Sequence, residues 1–232
     1  MIAGTRYDLA VVGAGIVGLA HALAAARAGA KVLVLDRDAS ANGASVRNFG
    51  YVTVTGQSAD TWRRARRTRE IWDEVAPRAG IAILHRATAA VARTPEAHAV
   101  LEEFARGEMA DGCELLTAAQ LRQRVTMAHA PLAGGLWSPC ERRVEAREAI
   151  PAIAHYLETA CGVTVVRNAE VRAVEPPLLD TKVGEFHADR IVVCPGNDRL
   201  TLFPRELAAH RIQSCSLQML RLAPQPSTWR LP

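Results

Sequence analysis

The sequence YDLAVVGAGIVG at residues 7–18 decides the fold. A short apolar run enters a glycine turn, and the Ala- and Leu-rich residues that follow predict a helix from about Ile16 to Ala28, ended by Gly29. A second apolar run then leads into Asp36, eighteen residues after Gly18. Strand, glycine turn, helix, strand and terminal acid in this register predict a dinucleotide-binding βαβ unit.

The three glycines of the turn have different predicted roles. Gly13 permits the tight turn, Gly15 lets the backbone approach a pyrophosphate, and Gly18 lets the helix pack closely on the sheet. The helix N-terminus offers unpaired N–H groups and the positive end of its dipole to phosphates. Asp36 is placed to accept hydrogen bonds from ribose hydroxyls, and its charge disfavours a 2′-phosphate. The motif by itself leaves FAD and NAD both open.

Two further segments are predicted to contact the same cofactor. The sequence GASVRNFG at residues 43–50 follows the acid-tipped strand, and Ser45 and Asn48 are its candidate hydrogen-bonding side chains. Without its position directly after the strand that leads into Asp36, this segment would be interpreted more simply as an ordinary polar turn. The sequence ADRIVVCPG at residues 188–196 is an apolar strand ending at Gly196, and ligands bind at the carboxyl edge of parallel sheets.

Composition bounds the class of protein. The chain has 232 residues, of which 49% are hydrophobic, so it can bury a substantial core. A net charge of +4 does not indicate a nucleic-acid-binding protein. The five cysteines and seven histidines show neither a CxxC pair nor metal-ligand spacing, which indicates reduced thiols in a cytoplasmic protein and no metal site. The first apolar run has the length of a strand, so we predict neither signal peptide nor membrane span.

Periodicity and end signals place the other elements. Helices are predicted over Ser58 to Ala79, Pro95 to Ala110 and Ala146 to Cys161, with a short one opened by a capping box at Thr117. Strands are predicted at residues 81–84, 89–93, 163–166, 170–174, 182–187, 191–194 and 216–222.

The three cofactor segments, in this order, resemble the FAD-dependent D-amino-acid-oxidase-like superfamily, which includes glycine and sarcosine oxidases. The resemblance runs over essentially the whole chain, and Gly43-Ala44-Ser45 leading into Arg47-Asn48 is its more particular part. It implies an α/β fold with a Rossmann-like FAD-binding domain that contains a β-meander, at residues 1–57 and 147–200. A partial α+β substrate domain would comprise residues 58–146 and 201–232. Members of the superfamily are usually much longer, so truncation at the C-terminus is expected.

The resemblance also implies FAD as the cofactor and a set of residues that bind it. The catalytic residues stay unassigned, because amine oxidation of this type relies chiefly on the flavin and on substrate positioning. The implied cofactor-binding residues are Gly13, Ala14, Gly15, Ile16, Val17, Gly18, Asp36, Arg37, Ala44, Ser45, Arg47, Asn48, Val171, Pro195 and Gly196.

Residues 47–57 and 217–221 are similar to a bacterial subgroup associated with aminophosphonate breakdown. This implies oxidation of a small amine, amino acid or aminophosphonate by hydride transfer to the flavin, with oxygen or another acceptor reoxidising it. One alternative is a catalytically incomplete FAD-binding fragment or subunit that acts as a binding module, within an oligomer or beside a separate C-terminal half. A less favoured alternative is an NAD-dependent dehydrogenase, which would need further parallel βα units after Asp36.

Overall fold

The computed structural model describes residues 5–125 and 131–213, together with residues 215, 216, 218, 220 and 223. The elements follow one another in the order β1 Arg6–Val12, α1 Ile16–Arg27, β2 Val32–Leu35, β3 Tyr51–Val52, α2 Ala59–Arg78, β4 Thr88–Ala92, α3 Pro95–Ala105, β5 Glu114–Thr117, α4 Ala118–Arg124, β6 Gly134–Ser138, β7 Arg142–Arg143, α5 Ala146–Ala160, β8 Thr164–Val166, β9 Val171–Glu175, β10 Leu178–Thr181, β11 Gly184–Val193 and α6 Pro204–Ala208. Short 3₁₀ helices lie at Ala44–Val46 and Glu108–Ala110.

The chain divides into two compact units, each built from separate stretches of sequence. The first unit comprises Met1–Asn48, Arg78–Ile81 and Glu145–Leu217. The second comprises Phe49–Pro77, Ala82–Val144 and Gln218–Pro232.

A six-stranded sheet in the order β8-β2-β1-β11-β10-β9 forms the first unit. Strand β1 runs parallel to β2 and β11, and β2 runs parallel to β8. Strands β9, β10 and β11 form an antiparallel meander. The predicted α/β fold, with its opening βαβ unit, is confirmed.

Burial explains why the centre of this sheet is so apolar in sequence. All four residues of β2 are buried, as expected for a strand covered on both faces. Tyr7, Leu33, Leu179 and Leu202 are among the buried side chains of the core cluster on this sheet. Because Leu202 packs in this core, residues 201–213 group with the first unit, whereas the sequence analysis placed them with the substrate domain.

The second unit has two small antiparallel sheets. One contains three strands in the order β4-β6-β5, and the other pairs β3 with β7. The predicted capping box is confirmed, since the Thr117 side chain accepts from the backbone N–H of Gln120 while the Gln120 side chain accepts from Thr117. Helix α4 thereby begins directly where β5 ends. Leu116 of β5 and Leu121 of α4 are buried in the same hydrophobic cluster.

Several predicted element boundaries are wrong for local reasons. Residues 81–84 form no strand; only an isolated bridge joins His85 to Arg143, because the neighbouring β7 has just two residues. The helix predicted over Pro95 to Ala110 ends at Ala105, before Gly107, and glycine disfavours a helix interior by about 1 kcal/mol.

The meander also differs from its prediction. The strands expected at residues 182–187 and 191–194 are parts of one strand, β11, which begins after a turn at Lys182 and Val183. Strand β10, which pairs with both β9 and β11, was not among the predicted strands. The predicted strand from Ser216 to Leu222 lies mostly outside the described residues.

Candidate functional site

The glycine turn after β1 is fixed by close backbone contacts. Gly13 has φ +105°, and a Cβ there would lie 2.3 Å from the carbonyl oxygen of Cys194. A Cβ on Gly18 would lie 1.9 Å from the carbonyl oxygen of Gly13. Side chains at either position would collide with backbone, so only glycine lets the end of β1, the start of α1 and the end of β11 meet.

Asp36 ties the end of β2 to this turn. One carboxylate oxygen accepts a hydrogen bond of 2.6 Å from the backbone N–H of Ala14, and the other accepts one of 2.9 Å from the N–H of Asp38. An ionised carboxylate has about four acceptor positions, so two backbone donors leave acceptor capacity for a ligand.

Ser45 covers the start of α1. Its hydroxyl oxygen accepts a hydrogen bond of 3.0 Å from the backbone N–H of Ile16, one of the amides left unpaired at the helix N-terminus. A Cβ on Gly15 would lie 2.9 Å from that hydroxyl oxygen. The loop carrying Ser45 is braced by Asn48, whose side-chain amide donates to the carbonyls of Ala44 and Ser45 at 2.9 Å each.

These segments line one cleft in the first unit, with a volume of about 150 Å³. Of the predicted binding residues, the cleft is lined by Gly13, Ala14, Gly15, Asp36, Arg37, Ala44, Ser45, Val171, Pro195 and Gly196. The structure places the others outside its lining: Ile16, Val17, Gly18, Arg47 and Asn48.

Sequence reasoning missed an ion pair in the cleft lining. Arg37 Nη1 lies 2.5 Å from Asp198 Oδ2, and both residues line the cleft. The Asp198 carboxylate also accepts from the hydroxyl and N–H of Thr201 and from the N–H of Leu200. Hydrogen bonds from Thr201 and Leu200, together with the Arg37 charge, hold the pKa of Asp198 well below its usual range. The signal available in the sequence was an Asp three residues before a Thr, directly after the strand and Gly196.

Other groups in the described residues give no sign of a metal centre. No cluster of three or more His, Cys, Asp or Glu side chains among residues 5–125 and 131–213 is placed to hold a metal ion. Burial raises the pKa of the Cys194 thiol, which lines the cleft and therefore stays neutral near pH 7.

None of the described helices has both the length and the apolar character needed to cross a membrane.

The family model for FAD dependent oxidoreductases matches residues 8–232, nearly the whole chain. The chain belongs to this family. FAD is the cofactor that gives the family its description. No curated protein sequence matches the chain.

Solved structures share the fold. L-amino acid deaminase from Proteus myxofaciens is 17% identical with a TM-score of 0.73, over 82% of this chain and 45% of that one. Glycine oxidase from Geobacillus kaustophilus is 24% identical with a TM-score of 0.68, over 82% and 55%. L-alpha-glycerophosphate oxidase from Mycoplasma pneumoniae, solved with FAD bound, is 16% identical with a TM-score of 0.68, over 81% and 53%. The chain thus spans about half the length of these flavoenzymes.

Proposed function

We propose that this chain binds FAD in the cleft of the first unit and takes part in oxidising a small amine, amino acid or aminophosphonate. Bound FAD would supply the acceptor for a hydride removed from the substrate carbon beside the nitrogen. Oxygen or another acceptor would then reoxidise it. The five free thiols support a cytoplasmic location.

The residues of the cleft fit this cofactor. Gly13 and Gly15 themselves carry no side chain that would block a pyrophosphate, and the N-terminus of α1 favours its negative charge. Asp36, with acceptor positions left over, would hold ribose hydroxyls. Ser45 has a hydroxyl hydrogen free to donate while its oxygen accepts from Ile16.

The meander side of the cleft would complete the binding surface. Val171 begins β9 and lines the cleft, as do Pro195 and Gly196 after β11. We infer that backbone groups at these positions face the two ends of the cofactor. Arg37, held by Asp198, would place a fixed positive charge beside its phosphates.

One observation carries the proposal: Asp36, the glycine turn and the end of β11 all meet at a single cleft in a chain of this family. The sheet also argues against an NAD-dependent dehydrogenase. After β2 the chain adds one further parallel edge strand and then an antiparallel meander, where a second set of parallel βα units would be expected.

The substrate class has separate support. L-amino acid deaminase and glycine oxidase share the fold and have amino acids in their names, and residues 47–57 are similar to an aminophosphonate-associated subgroup. The glycerophosphate oxidase shares the fold as well, so the fold by itself does not choose the substrate.

The test uses the purified chain loaded with FAD and mixed anaerobically with glycine, an L-amino acid or 2-aminoethylphosphonate. Loss of the visible absorbance of oxidised flavin with one of these amines, and not with glycerol phosphate, is the expected result. Flavin uptake without bleaching by any amine would contradict the proposed reaction and favour the FAD-binding module instead.

A further inference from the structure

Asn42 is followed by a glycine in the loop between β2 and the 3₁₀ helix at Ala44–Val46. The chain has four asparagines, and Asn42 is the one with a glycine after it. Both Asn42 and Gly43 are exposed and line the cleft of the first unit. Because glycine has no Cβ, its backbone nitrogen can approach the side-chain amide carbon of the preceding residue with little steric hindrance. The pair therefore places a chemically reactive asparagine at the cleft.

The structure leaves both reacting groups free at this position. In the described part of the chain, neither the Asn42 side chain nor the Gly43 N–H makes a hydrogen bond. A Cβ built on Gly43 would meet no atom within 4 Å, so the space around this residue is open. The Asn42 amide can thus turn toward the Gly43 nitrogen without breaking a contact.

The other three asparagines each have a group needed for this approach already engaged. The side-chain amide of Asn48 donates to two backbone carbonyls at 2.9 Å each. The N–H that follows Asn168 donates to the carbonyl of Asp36 at 2.8 Å. The N–H that follows Asn197 donates to the carbonyl of Pro195 at 3.1 Å. Local structure therefore adds to the difference that the glycine already makes.

We propose that Asn42 is a site of spontaneous deamidation, and that the negative charge this creates lowers the affinity of the cleft for FAD. The Gly43 nitrogen bonds to the side-chain carbonyl carbon of Asn42, and ammonia leaves with the proton of the Gly43 N–H. Water then opens the succinimide ring at one of its two carbonyls, which yields aspartate or isoaspartate. The reaction consumes only water. Its effect on FAD rests on the proposed function, whereas the modification itself does not.

A new carboxylate in this cleft would oppose a diphosphate. Arg37 is the one cation among the described residues that line the cleft, and Asp198 already pairs with it. The added charge would therefore act on the phosphates without a cation to neutralise it. In the isoaspartate form the backbone is also longer by one carbon directly before Gly43, which caps the 3₁₀ helix that carries Ser45. Both products should weaken cofactor binding.

Peptide mapping by mass spectrometry tests the modification. The full chain without added FAD is kept in warm, mildly alkaline buffer, and trypsin separates Asn42 from Asn48 by cleaving after Arg37 and Arg47. We expect the mass increase of an amide-to-acid exchange in the Asn42 peptide, at least about tenfold faster than at the other three asparagines. Gly43→Ala, whose Cβ has open space, should slow this exchange severalfold or more. Equal rates at all four asparagines, or no effect of Gly43→Ala, would overturn the proposal.

A fluorescence titration with FAD tests the consequence. Asn42→Asp carries the charge of one product, and Asn42→Gln is the neutral control at the same position. At low salt Asn42→Asp should bind FAD about three- to tenfold more weakly than Asn42→Gln, and added salt should narrow the difference by screening the charge. Equal affinities of the two variants at low salt would overturn the proposed effect. A fresh parent chain that binds no FAD would contradict the proposed function, while the peptide masses would still decide whether Asn42 is modified.

Discussion

Asp36 Oδ2 accepts a hydrogen bond of 2.6 Å from the backbone N–H of Ala14, across the gap between the end of β2 and the glycine turn after β1. Its second oxygen accepts from Asp38 at 2.9 Å. The acid predicted to hold the cofactor is thus also a structural part of the cleft. Replacing it should affect both the stability of the turn and ligand binding.

Asp36→Asn tests this double role. An amide has one acceptor oxygen where the carboxylate has two, so one backbone N–H loses its partner. We expect a loss of about 1–3 kcal/mol in the free energy of unfolding. FAD affinity should fall by about tenfold or more, since the ribose acceptor is also weakened. Urea unfolding and flavin fluorescence titration measure the two effects. Asp189→Asn, which alters an exposed pair with Arg6, should change neither.

Alanine replacements at three glycines should show which of them are required by close contacts with the backbone. Gly13→Ala and Gly18→Ala force a Cβ to within 2.3 Å and 1.9 Å of carbonyl oxygens, so each should destabilise the first unit by several kcal/mol or prevent folding. Gly43 lines the same cleft but has open space around a built Cβ, so Gly43→Ala should stay within about 0.5 kcal/mol of the parent. Equal losses in all three variants, measured by thermal unfolding, would contradict this explanation.

Asp198 should contribute stability that depends on pH. Its folded-state pKa lies below the ordinary carboxyl value of about 3.9, so the ionised group stabilises the fold fully above that pH. The contribution is lost as pH falls toward the folded-state pKa. The difference in Tm between the parent and Asp198→Asn should therefore be constant above about pH 5 and shrink below about pH 4. Thr201→Val removes the largest cause of the pKa shift and should reduce the same difference. A difference that does not change with pH would refute the assignment.

The capping box at α4 gives a prediction for the second unit. Thr117→Ala removes the side-chain oxygen that accepts from Gln120 and should cost about 1 kcal/mol in the free energy of unfolding. Thr117→Ser keeps the hydroxyl and should retain most of that stability. Denaturant unfolding of the three proteins checks the order, and equal stability of the Ala and Ser variants would show that the cap contributes nothing measurable.

The βαβ unit could be predicted because its constraints are local in the sequence. Gly18 is required by a close contact with Gly13 in the same turn, and Asp36 follows an apolar strand whose length is easily recognised. Helix α1 begins at the predicted Ile16 for the same reason. The spacing of glycines and apolar residues in the sequence therefore predicts these elements directly.

The contacts that complete the cleft could not be predicted in this way. Ser45 meets Ile16 across 29 positions, and Arg37 meets Asp198 across 161. Neither pair has a periodic signal, because their proximity comes from the strand order of the sheet. Strand β11 was predicted as two separate strands for a related reason. Ala188 is buried, yet the charged residues beside it interrupt the apolar pattern.

A titration of the purified chain with FAD, followed by quenching of flavin fluorescence, tests cofactor binding by this cleft, with FMN as the comparison ligand. We expect saturable FAD binding and at least about tenfold weaker FMN binding, because Asp36 and the glycine turn would hold the adenosine monophosphate part that FMN lacks. A folded protein that takes up no FAD, or binds FMN equally well, would contradict this expectation.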